Sequence, residues 1–228
     1  MKIILNDIFS KSSFLNEKTE KEVIILQNIF FNMKKFDIKE PVHYVISKEG
    51  IVYQLVDPDF WIPESSTANK KNIDRKSIFI GLLNEGKLTK RSDGKFYYYD
   101  KVYKEYKEPI FESEETWKGE KYFATYKEAQ LFSLLNLLQY LFDRFTKIDK
   151  FFSNEFIYNE KWFSVRGIIL KCNILKYSLD LTPAFPIERF NRQILKFSRE
   201  EIMNFVKVIL IEFVSLKEYK NSKKVIKK

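Results

Sequence analysis

The sequence predicts an α/β fold: a single mixed β-sheet of about five to six strands packed by about three helices. Three observations predict it. Short apolar runs at 43–47, 51–56, 77–83 and 167–172 alternate with longer segments of helical period. The run Ser77-Ile78-Phe79-Ile80-Gly81-Leu82-Leu83 is apolar almost throughout, as in a strand covered on both faces. The chain has 228 residues, 45% hydrophobic and 31% charged, which is enough for one sizeable core.

Each element follows from its local pattern. Residues 3–9 read as a short strand. A first helix is expected over 19–35, where Thr19 and Glu22 fit a capping box and Val23, Leu26, Ile29, Phe30 and Met33 give the apolar stripe. Strands at 43–47 and 51–56, joined around Lys48-Glu49-Gly50, read as a hairpin. Residues 77–83 form the central strand. Residues 85–116 are polar, rich in tyrosine (Tyr97, Tyr98, Tyr99, Tyr103, Tyr106) and acidic towards the end, and read as an elaborated loop or small hairpin inserted in the domain. A second helix opens with Thr125 and Glu128 as its cap and continues through Leu131, Leu134, Leu138 and Phe142, apolar nearly all round. A strand at 167–172 follows, then a third helix at 198–217 with Ser198 and Glu201 as its capping box. The expected division is a main domain at 1–190 and a helical extension with a basic tail at 191–228.

Composition excludes several classes. One cysteine, Cys172, rules out an internal disulfide and a multi-cysteine zinc site. One histidine, His43, rules out a metal site built on two imidazoles. The net charge of +9 permits nucleic acid, an anionic polymer or an acidic partner. No helix-turn-helix, zinc-finger or RNP-like string supports nucleic acid, which is not expected as a partner. No Gly-rich phosphate loop or Gly-x-Ser-x-Gly elbow occurs. Asn6 and Asp7 interrupt the first apolar run, and no apolar stretch reaches the ~20 residues of a membrane span. The chain is therefore expected to be soluble and made in the cytoplasm without a signal peptide. Abundant Lys, Ile, Asn, Phe and Tyr suggest a low-GC genome. His43 reads first as a buried, hydrogen-bonded strand residue and Cys172 as a small buried hydrophobe.

Several motifs, in order, resemble one family. The stretch Pro41-Val42-His43-Tyr44-Val45-Ile46-Ser47-Lys48-Glu49-Gly50-Ile51-Val52-Tyr53-Gln54-Leu55 is similar to the second and third strands of zinc-dependent N-acetylmuramoyl-L-alanine amidases of type 2. These share a fold with peptidoglycan recognition proteins and the T7-type lysozyme. Phe60-Trp61-Ile62-Pro63-Glu64-Ser65 resembles the family's Ala-Trp-His-Ala-Gly-Ser, and Asn72 with 77–84 resembles Asn…Ser-Ile-Gly-Ile-Glu-Leu-x-Asn. Trp117-Lys118-Gly119, Tyr122-Phe123, Tyr126 and Ala129-Gln130 resemble the lead-in to its long helix. Asp180-Leu181-Thr182-Pro183-Ala184-Phe185-Pro186 resembles Asp-Pro-Gly-Pro-Ala-Phe-Pro. The resemblance covers about residues 1–190.

The family's chemistry uses a zinc ion held by two His and an Asp or Cys, with an open position for water and a Glu, Tyr or Lys assisting. The resemblance places the first ligand at Asn6, the second at Leu170 or Lys171, the third at Asp180 and the acid at Gly81. It also places the family's basic residue at Ser178, with Lys176 nearby, and its alternative Tyr at Val42. One carboxylate, one amide and a Leu or Lys hold zinc poorly, so neither metal nor cofactor is expected. The implied function is a catalytically inactive amidase-like protein reused as a structural or binding module, for example a bacteriophage virion or tail component or a peptidoglycan-binding protein. A groove lined by His43, Trp61, Lys171 and Asp180 would take peptidoglycan fragments. The tyrosines at 97–99, 103 and 106 would serve protein partners or self-assembly. The alternative is an active peptidoglycan hydrolase, using zinc at an altered Asn6, Cys172 and Asp180 site or a metal-free mechanism through Asp180, Lys171 and His43.

Overall fold

The structure is a computed structural model and describes residues 3–5, 15–29, 41–63, 71–100, 102–176, 178, 181–196 and 214–215. In chain order its elements are β1 (Ile3–Leu5), β2 (Leu15–Lys18), β3 (Val23–Ile29), β4 (Tyr44–Ile46), β5 (Val52–Gln54), β6 (Phe60–Trp61), α1 (Lys71–Arg75), β7 (Ser77–Leu83), β8 (Lys87–Lys90), β9 (Phe96–Asp100), β10 (Val102–Tyr106), β11 (Ile110–Trp117), β12 (Glu120–Ala124), α2 (Glu128–Arg144), β13 (Gly167–Leu170), α3 (Lys171–Ile174), α4 (Ile187–Lys196) and β14 (Val214–Ser215).

The α/β class is as the sequence predicts, but the described residues form three sheets rather than one. The main sheet has seven strands in the order β13-β3-β7-β4-β5-β1-β14. Its centre is parallel: β3 pairs with β13 on one side and β7 on the other, and β7 pairs with β4. The predicted hairpin is present as antiparallel β4 and β5. Its turn at Gly50 has φ of 82°, which glycine adopts without strain, and Ser133 Oγ of α2 donates to the Gly50 carbonyl at 2.6 Å. A small sheet joins β2 to β6.

The main sheet is buried on both faces. Ile24, Leu26, Tyr44, Ile46, Ile78, Ile80, Leu82, Ile168 and Leu170 face α2 and α4, meeting Leu134, Leu138, Leu141 and Phe190. Val23, Ile25, Ile29, Val45, Phe79, Leu83 and Ile169 face the other way, towards Ile62, Ile73, Trp162 and Ile174. Each such aliphatic chain, fully buried, contributes roughly 1.5–3 kcal/mol.

The helix expected over 19–35 is instead strand β3 within the described residues; positions 30–35 lie outside them. Val23-Ile24-Ile25-Leu26 places apolar, mostly β-branched side chains on both faces, which suits a strand between two parallel neighbours better than a one-sided helix. The supposed cap residues are used elsewhere. Thr19 Oγ1 donates to the Arg75 carbonyl, and Glu22 pairs with Lys76 at 3.6 Å and Arg166 at 3.5 Å.

Helix α2 stands where predicted, but it starts at Glu128 after Lys127, without a side-chain cap; Thr125 Oγ1 donates to the Pro109 carbonyl at 3.0 Å. The strand predicted at 167–172 stops at Leu170, and Cys172 lies in α3. Helix α4 starts within the expected main domain and runs into the helical extension expected from residue 191. It is anchored by Ile187, Phe190 and Ile194 on one face. Most of the helix expected at 198–217 lies outside the described residues, but Val214–Ser215 within it form a strand paired parallel to β1.

The segment read as a loop or small hairpin is most of a second sheet, antiparallel, in the order β10-β9-β8-β12-β11. Leu88, Tyr106 and Ala124 form its small core, with Phe96, Tyr98, Ile110 and Tyr122 packed against them. An ion cluster ties it to the main sheet. Lys48, in the β4–β5 turn, meets Glu85 at 2.5 Å and Glu108 at 3.5 Å, and lies over the Tyr106 ring at 5.8 Å. Lys127, before α2, meets Glu108 at 3.1 Å.

Candidate functional site

The carboxyl ends of β3, β7 and β13 lie side by side, the usual place for a site in an open parallel sheet. Register sets Gln27 opposite Gly81 and Leu26 opposite Leu170. By alternation, Gln27 and Gly81 share the face of Ile29, Phe79 and Leu83, away from α2.

Gly81, where the resemblance places the family's acid, has no room for a side chain. A Cβ built on it would lie 2.5 Å from Ile29 Cγ1 and closer still to Cδ1. Ile29 occupies the space from the neighbouring strand. Gly81→Ala is expected to cost about 1–3 kcal/mol by overpacking. Its effect should fall when Ile29→Ala is already present, and a double-mutant cycle by urea unfolding reads that coupling. Additive effects would mean that Ile29 does not occupy this space.

Leu170, one of the two residues matched to the second ligand, is fully buried on the opposite face, in the core beneath α2. Lys171, the other, is 7% exposed and opens α3. Cys172 is fully buried in the α2-side core. Asn6 and Asp180 lie outside the described residues. The strand leading to Asn6, β1, pairs with β5 and β14, and four strands separate it from β13. At about 4.8 Å per strand step, some 24 Å separate the strands that lead to the first and second matched positions. Of the matched ligand positions among the described residues, Leu170 offers zinc no donor atom and Lys171 offers an ammonium. Among the described residues, no group of three or more His, Cys, Asp and Glu could hold a metal ion.

The rim of this sheet end is closed by neutral side-chain amides. Gln130 Nε2 donates to the carbonyls of Ile46 and Leu83, each at 3.0 Å. Asn84 Nδ2 donates to Thr125 O at 3.0 Å, and its Oδ1 accepts from the Gly86 N–H at 2.7 Å. The Tyr126 hydroxyl donates to Asn28 Oδ1 at 2.8 Å. These bonds satisfy strand ends and turns, while Gln130 Oε1 and Asn28 Nδ2 are buried without a hydrogen-bond partner. Sequence reasoning missed Gln27 because β3 was read as a helix; the polar pair Gln27-Asn28 ending an apolar run was the available signal.

His43 does not line a groove. It is fully buried, its ring parallel to Phe79 at 6.1 Å. Nδ1 accepts the Phe79 N–H at 2.9 Å, and Nε2 donates to the Phe60 carbonyl at 3.0 Å, which fixes one neutral tautomer. Burial, with the nearby Lys21 cation, pushes its pKa down to about 3 against the hydrogen bond to Phe60. Lys21 is itself 1% exposed, donates to Thr19 Oγ1, Phe60 O and Arg75 O, and is lowered by burial to about 8.

Trp61 is half-buried in β6, with the Arg75 guanidinium over its ring at 5.2 Å. Arg75 precedes β7, so Trp61 lies by the amino end of the sheet and Lys171 by its carboxyl end. The seven residues of β7 span about 20 Å. The proposed groove set of His43, Trp61 and Lys171 is therefore not brought together.

The tyrosines divide by strand alternation. Tyr98 and Tyr106 pack inward, so they leave the expected interface. Tyr99 is 64% and Tyr103 51% exposed, with ring centroids 5.4 Å apart on the outer face. Arg91 sits over Tyr97 at 4.4 Å and Tyr103 at 4.6 Å, and the Tyr97 hydroxyl donates to Asp93 at 2.9 Å. No described helix is long and apolar enough to cross a membrane.

No family model matches the chain, and no curated protein matches it. Among solved structures, it is similar to the N-acetylmuramoyl-L-alanine amidase LysC from Clostridium intestinale URNW, at 11% identity over 86% of this chain and 98% of that one, with a TM-score of 0.46. The endolysine amidase LysCS from the same organism gives 10% identity over 85% and 95%, with a TM-score of 0.46. The amidase AmiD from E. coli, solved with the substrate anhydro-N-acetylmuramic acid-L-Ala-D-gamma-Glu-L-Lys, gives 16% identity over 59% of this chain and 48% of that one, with a TM-score of 0.38.

Proposed function

We propose that this chain is a catalytically inactive amidase-like protein that binds or builds rather than cuts. The family motifs in the sequence support the amidase relation. The observation that carries the reading is at Gly81: the position matched to the catalytic acid is filled by Ile29 from the adjacent strand. Leu170, committed to the core, supports it at a matched ligand position. The burial of Cys172 weighs against an altered metal site, and the burial of His43, with both ring nitrogens engaged, weighs against a metal-free mechanism. Peptidoglycan fragments and protein partners, including a place in a phage virion or tail, remain the proposed contacts. The test is zinc content by elemental mass spectrometry on protein purified without chelator, with release of peptide from muropeptides measured in parallel. The expected result is substoichiometric zinc and no release above blank. One zinc per chain with turnover would overturn the reading. Calorimetric titration with muropeptides then separates the two kinds of partner: saturable binding favours the wall polymer, and its absence favours protein.

A further inference from the structure

His43 and Lys21 meet at one backbone atom. The Phe60 carbonyl accepts from His43 Nε2 and from Lys21 Nζ, each at 3.0 Å. It belongs to β6, which among the described residues pairs only with β2. The two strands make a narrow ribbon at the amino end of the main sheet, held there also by the Glu17–Arg75 ion pair and by Arg75 over Trp61. On the other side of the ring, His43 Nδ1 accepts the Phe79 N–H at 2.9 Å. A proton on Nδ1 would set a donor against a donor, so one wall of the ring must move before His43 can become a cation. Phe79 lies in β7, paired on one side with β3 and on the other with β4. Phe60 lies in a two-stranded ribbon, and such pairs are marginal by themselves. The ribbon is the wall that yields.

We propose that the β2–β6 ribbon is an acid-opened strap, which lifts from the amino end of the main sheet when His43 takes a proton while the main sheet stays folded. Lys21 loads the same wall. Its ammonium is 1% exposed and donates to three neutral acceptors, Thr19 Oγ1, Phe60 O and Arg75 O. The carboxylate that acts on it, Asp59, is engaged by Arg144 at 2.8 Å and Lys18 at 3.7 Å. Neither carbonyl depends on Lys21: Phe60 O keeps His43, and Arg75 O accepts the Thr19 hydroxyl. A buried cation that no acceptor needs is costly, and opening of the ribbon returns it to water. Lys21 is also the one charged side chain that acts on the imidazole, and it opposes a second positive charge there. With the strap closed, burial keeps His43 neutral down to about pH 3, whereas a solvated imidazole takes its proton near 6.5. The closed form is therefore favoured in full above pH 6.5, and opening gains about tenfold per pH unit below it.

Native-state hydrogen exchange on the full chain, read amide by amide by NMR, tests this. The Thr19 N–H, which donates to Asp59 O at 2.9 Å, reports the ribbon, and the amides of β3 report the main sheet. From pH 7 to pH 5 the opening constant at Thr19 should rise about 25-fold. Low urea separates local from global opening, because only global unfolding exposes enough surface to respond to it. At pH 5 the exchange of Thr19 should therefore be insensitive to low urea, while that of β3 accelerates. Lys21→Met, which strands neither carbonyl, should lower the opening constant at both pH values. His43→Gln should remove the pH dependence at Thr19, with circular dichroism checking that the fold is kept. A Thr19 opening constant equal at pH 7 and pH 5 would overturn the inference. So would Thr19 exchange that follows β3 in urea, or a Lys21→Met chain whose ribbon opens more than that of wild type.

Discussion

Acidification from pH 6.5 to pH 4 is expected to lower the unfolding free energy by about 3 kcal/mol through His43 alone. In the folded chain His43 is neutral and takes a proton only near pH 3, because burial and the Lys21 cation oppose the charge. The unfolded chain takes that proton near pH 6.5. The contribution is therefore complete above pH 6.5 and is lost as the pH falls towards 3. Protonation would also destroy the Nδ1 acceptor that holds the Phe79 N–H. Urea unfolding of wild type and His43→Gln at several pH values measures this. The variant should start less stable and lose less between pH 6.5 and 4; equal slopes would show that His43 is not buried neutral. Lys21 acts on the alkaline side. Its pKa of about 8 lies below the ordinary 10.5, so its burial penalty is present below pH 8 and relieved as the pH rises between those values.

Lys48→Met is expected to cost about 3 kcal/mol or somewhat more. The side chains of Lys48 and Glu85 are 18% and 16% exposed, so removing the ammonium strands a carboxylate in a largely dry place. Glu85 Oε2 is already buried without a hydrogen-bond partner, which leaves the charge no second support. Adding Glu85→Gln should recover most of the loss, because a neutral amide needs no counter-ion. Urea midpoints of the two single variants and the double read this directly. A double variant no more stable than Lys48→Met would mean that packing of the lysine stem over Tyr106, not charge, joins the two sheets.

The parts of the fold legible in the sequence are those whose signal is local. The β4–β5 hairpin shows itself by two apolar runs around Lys48-Glu49-Gly50, β7 by its unbroken apolar run, and α2 by its long stripe. Strand β3 was obscured because Val23, Leu26 and Ile29 also satisfy a helical spacing; only the partners β7 and β13, distant in sequence, decide between the two. The second sheet was hidden for another reason. Strands such as Val102–Tyr106 and Ile110–Trp117 are charged on both faces and bury little, so they lack the alternation that marks a half-buried strand. At the candidate site, the order of motifs matches Gly81 to the family's acid and Leu170 to one of its ligands. Their separation onto opposite faces, the filling of Gly81 by Ile29, and the distance between Trp61 and Lys171 are three-dimensional facts that spacing along the chain does not carry.

The parallel centre of the main sheet also constrains how the chain comes together in time. Val23 finds Ser77 on one side and Gly167 on the other, so β3 gains its first neighbour only after a long loop closes and its second only after a much longer one. Local pieces such as the β4–β5 hairpin and α2 can form early, whereas the central strands wait, which is the behaviour of slow-folding, high-contact-order chains. On the ribosome, the segment Val23-Ile24-Ile25-Leu26 emerges well before either partner strand has been made. Until then it is an apolar, β-prone stretch with both edges open, the type of segment that chaperones shield during synthesis.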